Sequence, residues 1–426
     1  MKRAIFVSPH FAPSNLAGGQ RARLIAAHLP EFGWESVIVT VDPAFYEEAN
    51  DPASLALIPE WLRVERVRAL PQKICRRFGV GDISLRAQWQ LRRRVTHLFR
   101  SEKADLIFVT VLPGYTSLIG AWAKRTFGLP FVLDYQDPWV SDWGAQQPAF
   151  TKAGLAHWLA TNLEPRAVSA ADAVTAVSDE TLQTLRQRRL LRTNLPVEII
   201  PIGASKEDYR LAAAKGRSVI MKQPGEFTLA YVGTVTERML PIVRTFFEAL
   251  RQAIGMNRSR RFRLHFIGTS AQPEGRDRHS LAALARSYGL ENCFYLEPRR
   301  IGYLDALRTM QEADALLLLG STDSHYTASK IFPCWLSGRP LLALFHARST
   351  VNNMARQLGG ARVITYEDSE SVGAQTERVA AALRELTEGG SAAVPPRNEV
   401  AFAAYSARAV ARRYAELFDR VLTEKS

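Results

Sequence analysis

The chain has 426 residues, 47% apolar and 23% charged. That is ordinary for a folded protein and too long for one hydrophobic core, so two domains are expected. Three cysteines, Cys75, Cys293 and Cys334, are too few and too scattered for a disulfide framework or a zinc pattern, and read as reduced thiols. The net charge of +13 implies an anionic partner or a large solvated basic face.

Read in chain order, the opening MKRAIFVSPHF has too few apolar residues for a secretory leader, and no apolar run approaches the ~20 residues of a membrane span. A cytoplasmic protein is expected. AIFVS (4–8) is the first strand and SVIVTV (36–41) the second, with a helix between them ending near Gly33. The segment 73–103 holds nine Lys/Arg against two acids. In it Leu85, Trp89, Val95, Leu98 and Phe99 are spaced for one helical face, so a surface helix with a core-facing stripe and a basic outer side is expected. That basic side could be only solvated, or it could meet anionic lipid; with no recognised motif, nucleic acid is the weakest partner.

DLIFVTV (105–111), PFVLDY (130–135), AVTAVS (173–178) and VEIIPIG (197–203) complete a first series of strands. They show little alternation, as strands buried on both faces should. The polar stretch 205–226 reads as a crossover. The pattern restarts with FTLAYVG (227–233), RLHFIG (263–268), CFYLEP (293–298), ALLLLG (315–320), PLLALF (340–345) and ARVITY (361–366). After a Gly/Pro-rich break, 405–422 forms an amphipathic helix. Two doubly wound α/β domains follow, an N-terminal one over 1–204 joined by a returning helix at 403–426, and a C-terminal one over 222–400.

In such sheets ligands bind beyond the carboxyl ends of the strands, so the strand-to-helix loops carry the candidate chemistry. In SPHFAPSNLAGGQ (8–20), Gly18 and Gly19 precede a helix, and His10 is a polar contact or packs on the loop. The dinucleotide fingerprint G-x-G-x-x-G is absent there. In LDYQDPWVSDW (133–143), Asp134, Asp137 and Asp142 cluster with two tryptophans, as a sugar site or a simple turn would. YVGTVTER (231–238) offers Gly233, Thr234 and Arg238 to a phosphate, and IGTS (267–270) repeats the theme with Gly268. In HYTASKIFPCWLSGRP (325–340), Thr327 or Ser329 is the expected helix N-cap, with Lys330 in the first turn. A cation there opposes the helix dipole by about 0.3–1 kcal/mol, unless an anion is bound. Pro333 would lie about four residues in, where it removes one helical bond at most.

Taken together and in order, these loops resemble the family 4 glycosyltransferases of GT-B fold. SPHFAPSNLAGG is similar to the family's SPYFPPSNGGG-type opening, and FVLDYQDPW to a strand ending in aspartate with DPW. AADAVTAVS, YVGTVTERMLPIVRTFFEAL, LHFIG and YLDALRTMQEADALLLL resemble successive further units. TASKIFPCWLSGRPLLAL is similar to the TSKLFEYLASGRPILA-type stretch. The resemblance implies transfer of a sugar from a nucleotide-diphosphate donor, with retention, to a glycan or lipid-linked acceptor, as in cell-surface polysaccharide or glycolipid assembly. It implies no cofactor and no metal. Gly233, Thr234 and Lys330, with Arg238, would face the diphosphate, and Gly18 and Gly19 would approach the donor. Gly268, His325, Tyr326, Thr327 and Ser329 complete the implied donor side, and the loop 297–301 would lie near the base. Asp137 and His10 are the catalytic candidates.

Three departures stand out. The family's Glu-x7-Glu pair falls on His325 and Pro333, its strand-end histidine is Gln136 here, and the Gly-Arg of many members is Gly233-Thr234. These allow a catalytically silent scaffold as an alternative; a sugar-nucleotide 2-epimerase is the third reading.

Overall fold

The computed structural model describes every residue except 15, 141, 257–260, 271, 273–274, 324–328 and 425–426, and every side chain but those of residues 17, 142, 143, 256 and 369 as well. The chain forms two compact units, one of Met1–Ile202 with Ala407–Ser426, the other of Gly203–Ser406. Among the described residues no helix is long and apolar enough to cross a membrane.

The first unit is built on seven parallel strands: β1 (Lys2–Val7), β2 (Trp34–Val41), β3 (Arg63–Val67), β4 (Leu106–Thr110), β5 (Phe131–Tyr135), β6 (Ala173–Ala176) and β7 (Val197–Ile199), in the order β3-β2-β1-β4-β5-β6-β7. Order reverses between β1 and β4, so their carboxyl ends form the switch point. Six of these strands lie where the apolar runs put them. The seventh, β3, reads RVERV and was not expected; as an edge strand it is half exposed and needs no apolar run.

Successive side chains of each inner strand enter opposite cores. Ile5, Val7, Val37, Ile107 and Leu133 pack beneath Leu91, Val95 and Leu98 of the helix Gln88–Glu102. On the other face Phe6, Phe108 and Ile38 meet Ile25 of the helix Ala17–Ala26 and Tyr414 and Phe418 of the helix Ala407–Thr423. Phe6 and Phe108 are 4.5 Å apart by ring centroids, and the Tyr414 ring stands edge-on to Phe108 at 5.3 Å.

One ion pair crosses this second core. Arg21 Nε donates to Asp134 Oδ2 at 2.7 Å and Nη2 to Oδ1 at 2.8 Å, with both side chains fully buried. Nη2 also donates to the Ile200 carbonyl at 2.8 Å, and Asp134 accepts from Thr175 at 2.6 Å and Tyr414 at 2.8 Å. Burial opposes the Arg21 charge, but Asp134 and Tyr414 outweigh it and hold the pKa above its ordinary value. Asp134 is therefore an internal tie and does not join Asp137 at the surface.

The second unit has six parallel strands: β8 (Glu226–Val232), β9 (Arg261–Ile267), β10 (Phe294–Glu297), β11 (Ala315–Leu319), β12 (Leu341–His346) and β13 (Ala361–Tyr366), in the order β10-β9-β8-β11-β12-β13. Its switch point lies between β8 and β11. The stretch read as a crossover contains a helix, Lys206–Lys215, capped by Ser205 Oγ, which accepts from Glu207 and Asp208 amides at 3.1 and 3.4 Å. Tyr303 donates to Asp208 at 3.0 Å and the Arg217 amide to Asp305 at 2.7 Å, so this segment belongs to the second unit's body. The three cysteines are free thiols.

Removing one partner of a buried ion pair leaves the other charge unpaired in the core. Arg21→Met should cost about 3–5 kcal/mol in denaturant unfolding of the first unit, and Arg21→Met with Asp134→Leu should recover part of it.

Candidate functional site

At the first unit's switch point, the chain leaves β1 through Ser8, Pro9 and His10, and the helix Ala17–Ala26 starts against that loop. A Cβ on Gly19 would lie 3.0 Å from the His10 carbonyl oxygen and from Phe11 Cα, and one on Gly18 would lie 3.3 Å from the Leu112 carbonyl oxygen. Both glycines are buried, and a side chain at either would press on neighbouring backbone, more tightly at Gly19. Among the described residues no side chain caps this helix start.

His10 Nδ1 lies 2.8 Å from Glu48 Oε1, and Ser14 Oγ donates to the same oxygen at 2.5 Å. Burial pushes Glu48 upward, but the His10 hydrogen bond and charge, with Ser14, outweigh it and hold the carboxyl at about 2. An ionised Glu48 can only accept, so His10 Nδ1 carries a proton, and in the neutral form of the ring Nε2 is its basic atom. The ring rests against Tyr46 with centroids 5.3 Å apart. His10 and Glu48 line a cavity of about 360 Å³ with Arg76, Asp82, Ile83 and Pro113.

The loop after β5 adds the rim. The amide nitrogen and oxygen of Gln136 are both buried with no partner among the described residues. Asp137 is exposed on one side yet crowded by protein on the other, and that desolvation raises its carboxyl pKa. Trp139 lies against Gly114, where a Cβ would fall 2.2 Å from the indole, and stands edge-on to Tyr115 at 5.1 Å. An aromatic rim beside a carboxylate is thus present, built from the β4 and β5 loops. The Asp142 and Trp143 side chains lie outside the described residues.

At the second unit's switch point, β8 is followed by Gly233, with φ +148°, a backbone region that L side chains rarely adopt. A Cβ there would fall 1.4 Å from Lys330 Nζ, so the ammonium occupies the space the glycine leaves. Lys330 Nζ is also 5.4 Å from the Tyr231 ring centroid. The side chain is half-buried with its ammonium enclosed by protein. Burial pushes its pKa down to about 8, the Cys334 thiol opposes this slightly, and the Arg300 guanidinium adds to it. No carboxylate pairs with Lys330 among the described residues.

Several sequence-based expectations change here. The Gly233 amide donates to the Ile267 carbonyl at 2.8 Å, extending the β8–β9 pairing, so it is not free for a phosphate. Thr234 is half-buried and its carbonyl accepts from Tyr231 at 2.7 Å. Arg238 pairs with Asp323 at 2.9 Å across the two switch-point loops instead of standing free. Gly268, with φ +69°, turns the chain after β9, and its amide donates to the Glu297 carbonyl at 2.8 Å. His325, Tyr326 and Thr327 lie outside the described residues.

The helix runs Ile331–Leu336 with Lys330 itself at the N-cap position and no side-chain cap among the described residues, so Ser329 does not cap it. Pro333 is the third helical residue. Its missing N–H belongs to the first turn, which has no helical acceptor, and no bond is lost. Its carbonyl accepts from Tyr209 at 2.5 Å. Trp335 pins the helix from below, stacking on Phe402 at 4.4 Å and donating to the Leu358 carbonyl at 3.0 Å.

Sequence reasoning missed Glu48, Ser14 and Arg300 as site neighbours. Only the implied position of the loop 297–301 pointed toward Arg300. Glu48 lies in a loop with no periodicity or motif, and nothing local marks it.

Residues 17–203 match the model of the glycosyl transferase 4-like domain. No curated protein sequence matches the chain. Among solved structures, α,α-trehalose 6-phosphate synthase from Burkholderia multivorans is similar with a TM-score of 0.65 at 14% identity, covering 100% of this chain and 98% of that one. Sucrose-phosphate synthase from Thermosynechococcus elongatus gives 0.63 at 15%, covering 100% of both. Anabaena HepE in complex with UDP-glucose gives 0.59 at 16%, covering 100% of this chain and 99% of that one.

Two variants probe the two switch points. Gly233→Ala should displace Lys330 and return its pKa from about 8 toward the ordinary 10.5, read by NMR titration of labelled lysine. For Glu48, a folded pKa of about 2 against an ordinary 4.5 means its stabilisation is full above 4.5 and is lost as pH falls toward 2. The stability difference between wild type and Glu48→Gln should shrink over that window. The fold of the chain is GT-B, and residues 17–203 within it match the glycosyl transferase 4-like domain.

Proposed function

We propose that this protein transfers a sugar from a nucleotide-diphosphate donor to a glycan or lipid-linked acceptor, with retention and without a metal, in cytoplasmic assembly of cell-surface polysaccharide or glycolipid. The observation that carries this reading is Lys330. An ammonium is held over a glycine at the switch point of a parallel sheet, beside Arg300 and with no carboxylate partner among the described residues. A desolvated ammonium that also feels the charge of the exposed Arg300 guanidinium favours a multiply charged anion. The glycosyl transferase 4-like match over 17–203 supports the same reading.

Lys330 then stabilises the leaving diphosphate as the bond to the sugar breaks, with Arg300 as a second cation. Thr234 follows Gly233 and Ser329 precedes Lys330 in the chain, and Arg238 orients the loop by its tie to Asp323. On the first unit, His10 Nε2 is the atom able to take the acceptor hydroxyl's proton, because Glu48 holds Nδ1–H. Asp137, with its raised pKa, and the unpaired Gln136 amide offer hydrogen bonds to sugar hydroxyls.

Calorimetry with a panel of UDP-, GDP- and dTDP-sugars tests the reading; folded protein that binds none of them overturns it. Lys330→Ala should weaken binding by about 1.5–3 kcal/mol, roughly 10- to 150-fold. Bound phosphate favours the charged ammonium, so the folded pKa near 8 must rise on binding. Affinity should therefore hold below pH 8 and fall above it, and Lys330→Ala should abolish that slope.

A further inference from the structure

Twelve Lys/Arg stand against three acids between residues 63 and 103. The segment is a built platform. Arg86 is 1% exposed and donates to the carbonyls of Gly81, Leu70 and Phe45 at 3.2, 3.1 and 3.1 Å, tying the end of β3 to the helices Gln72–Arg77 and Ile83–Arg86. Asp82 caps the second of these through the amides of Ser84 and Leu85 at 2.8 and 3.1 Å.

Two features of this platform do not serve the core. The buried stripe of the helix Gln88–Glu102 is Leu91, Val95 and Leu98, so Trp89, expected in that stripe, stands 65% exposed. Leu70, just after β3, Ile74 on the helix Gln72–Arg77 and Phe78 at that helix's end are 54%, 57% and 81% exposed. Leu70 and Trp89 share a groove of about 680 Å³ lined also by Arg66, Arg68, Arg93 and His97. The acids nearby are already engaged: Glu65 by Arg63 and Arg94, Glu47 by Arg76. Arg68, Lys73, Arg77 and Arg93 have no carboxylate partner among the described residues, and the Arg93 guanidinium lies 5.6 Å from the Trp89 ring.

We propose that this face docks on an anionic phospholipid bilayer. Ile74 and Phe78 enter the acyl boundary, Trp89 sits at headgroup depth, and the groove between the end of β3 and the helix Gln88–Glu102 takes a lipid phosphate. Exposed aliphatic and aromatic side chains set among unpaired cations match that surface in both polarity and sign. A nucleic acid would use the cations but leave Leu70 and Ile74 without a role. The inference stands independently of what Lys330 binds.

The test is flotation of the full chain with phosphatidylcholine vesicles and with vesicles containing phosphatidylglycerol. Wild type should float with the anionic vesicles and stay down with the neutral ones. Ile74→Ser/Phe78→Ser and Arg68→Gln/Arg93→Gln, each shown folded by its melting curve, should each lower partitioning roughly tenfold or more. Added salt should weaken binding of wild type more than that of the arginine variant. Equal flotation of wild type and both folded variants overturns the proposal. So does absence of flotation at low salt, or tight binding of a single-stranded oligonucleotide by a chain that ignores vesicles.

Discussion

The first unit depends on the buried pair of Arg21 and Asp134. It joins the helix Ala17–Ala26, β5, β6 through Thr175, the chain after β7 through Ile200, and the last helix through Tyr414. A charge pair of this kind contributes little net stability against an apolar core of equal volume, but its geometry tolerates few arrangements. Its position explains its consequence. Arg21 stands two residues past Gly19, so fixing its guanidinium fixes the helix start, and the helix start fixes the loop that carries His10. The same tie seats a helix more than 380 residues away in sequence.

The second unit reaches a comparable result by the opposite electrostatic choice. Lys330 is partly desolvated without a carboxylate, and its pKa falls to about 8 as a result. Such a group is costly in the free protein and profits from any anion that stabilises its charge. Gly233 makes this possible, because only a residue without Cβ leaves room for the ammonium. The glycine's contribution is therefore space for a cation, since its own amide is used in the sheet. Pro333 fits the same economy of the first helical turn: it forfeits no hydrogen bond, and its carbonyl anchors on Tyr209.

The basic surface of the first unit is a third case in which a charge takes its meaning from its neighbours. Arg86, Arg76 and Arg94 lie in the same stretch as Arg68 and Arg93. The first three are consumed by carbonyls or carboxylates of the unit itself, while the other two are unpaired among the described residues. A count of positive residues overstates the free charge, and the packing shows where it lies.

The amino-acid sequence by itself determined the α/β class, twelve of the thirteen strands and the loops that hold the candidate groups, because buried parallel strands are continuous apolar runs and glycine marks where they turn. It did not reveal β3, whose edge position permits the charged RVERV. It singled out Lys330, Gly233, His10 and Asp137 by residue type and place in a loop. Only the tertiary structure decided what each could do. Asp134 and Asp137 lie three residues apart, yet one faces an arginine in the core and the other stands at a rim. Glu48 meets His10 across 38 residues, a distance over which no local pattern operates. Hydrogen bonding and desolvation act through space, so the roles of polar residues emerge only when the chain has closed around them.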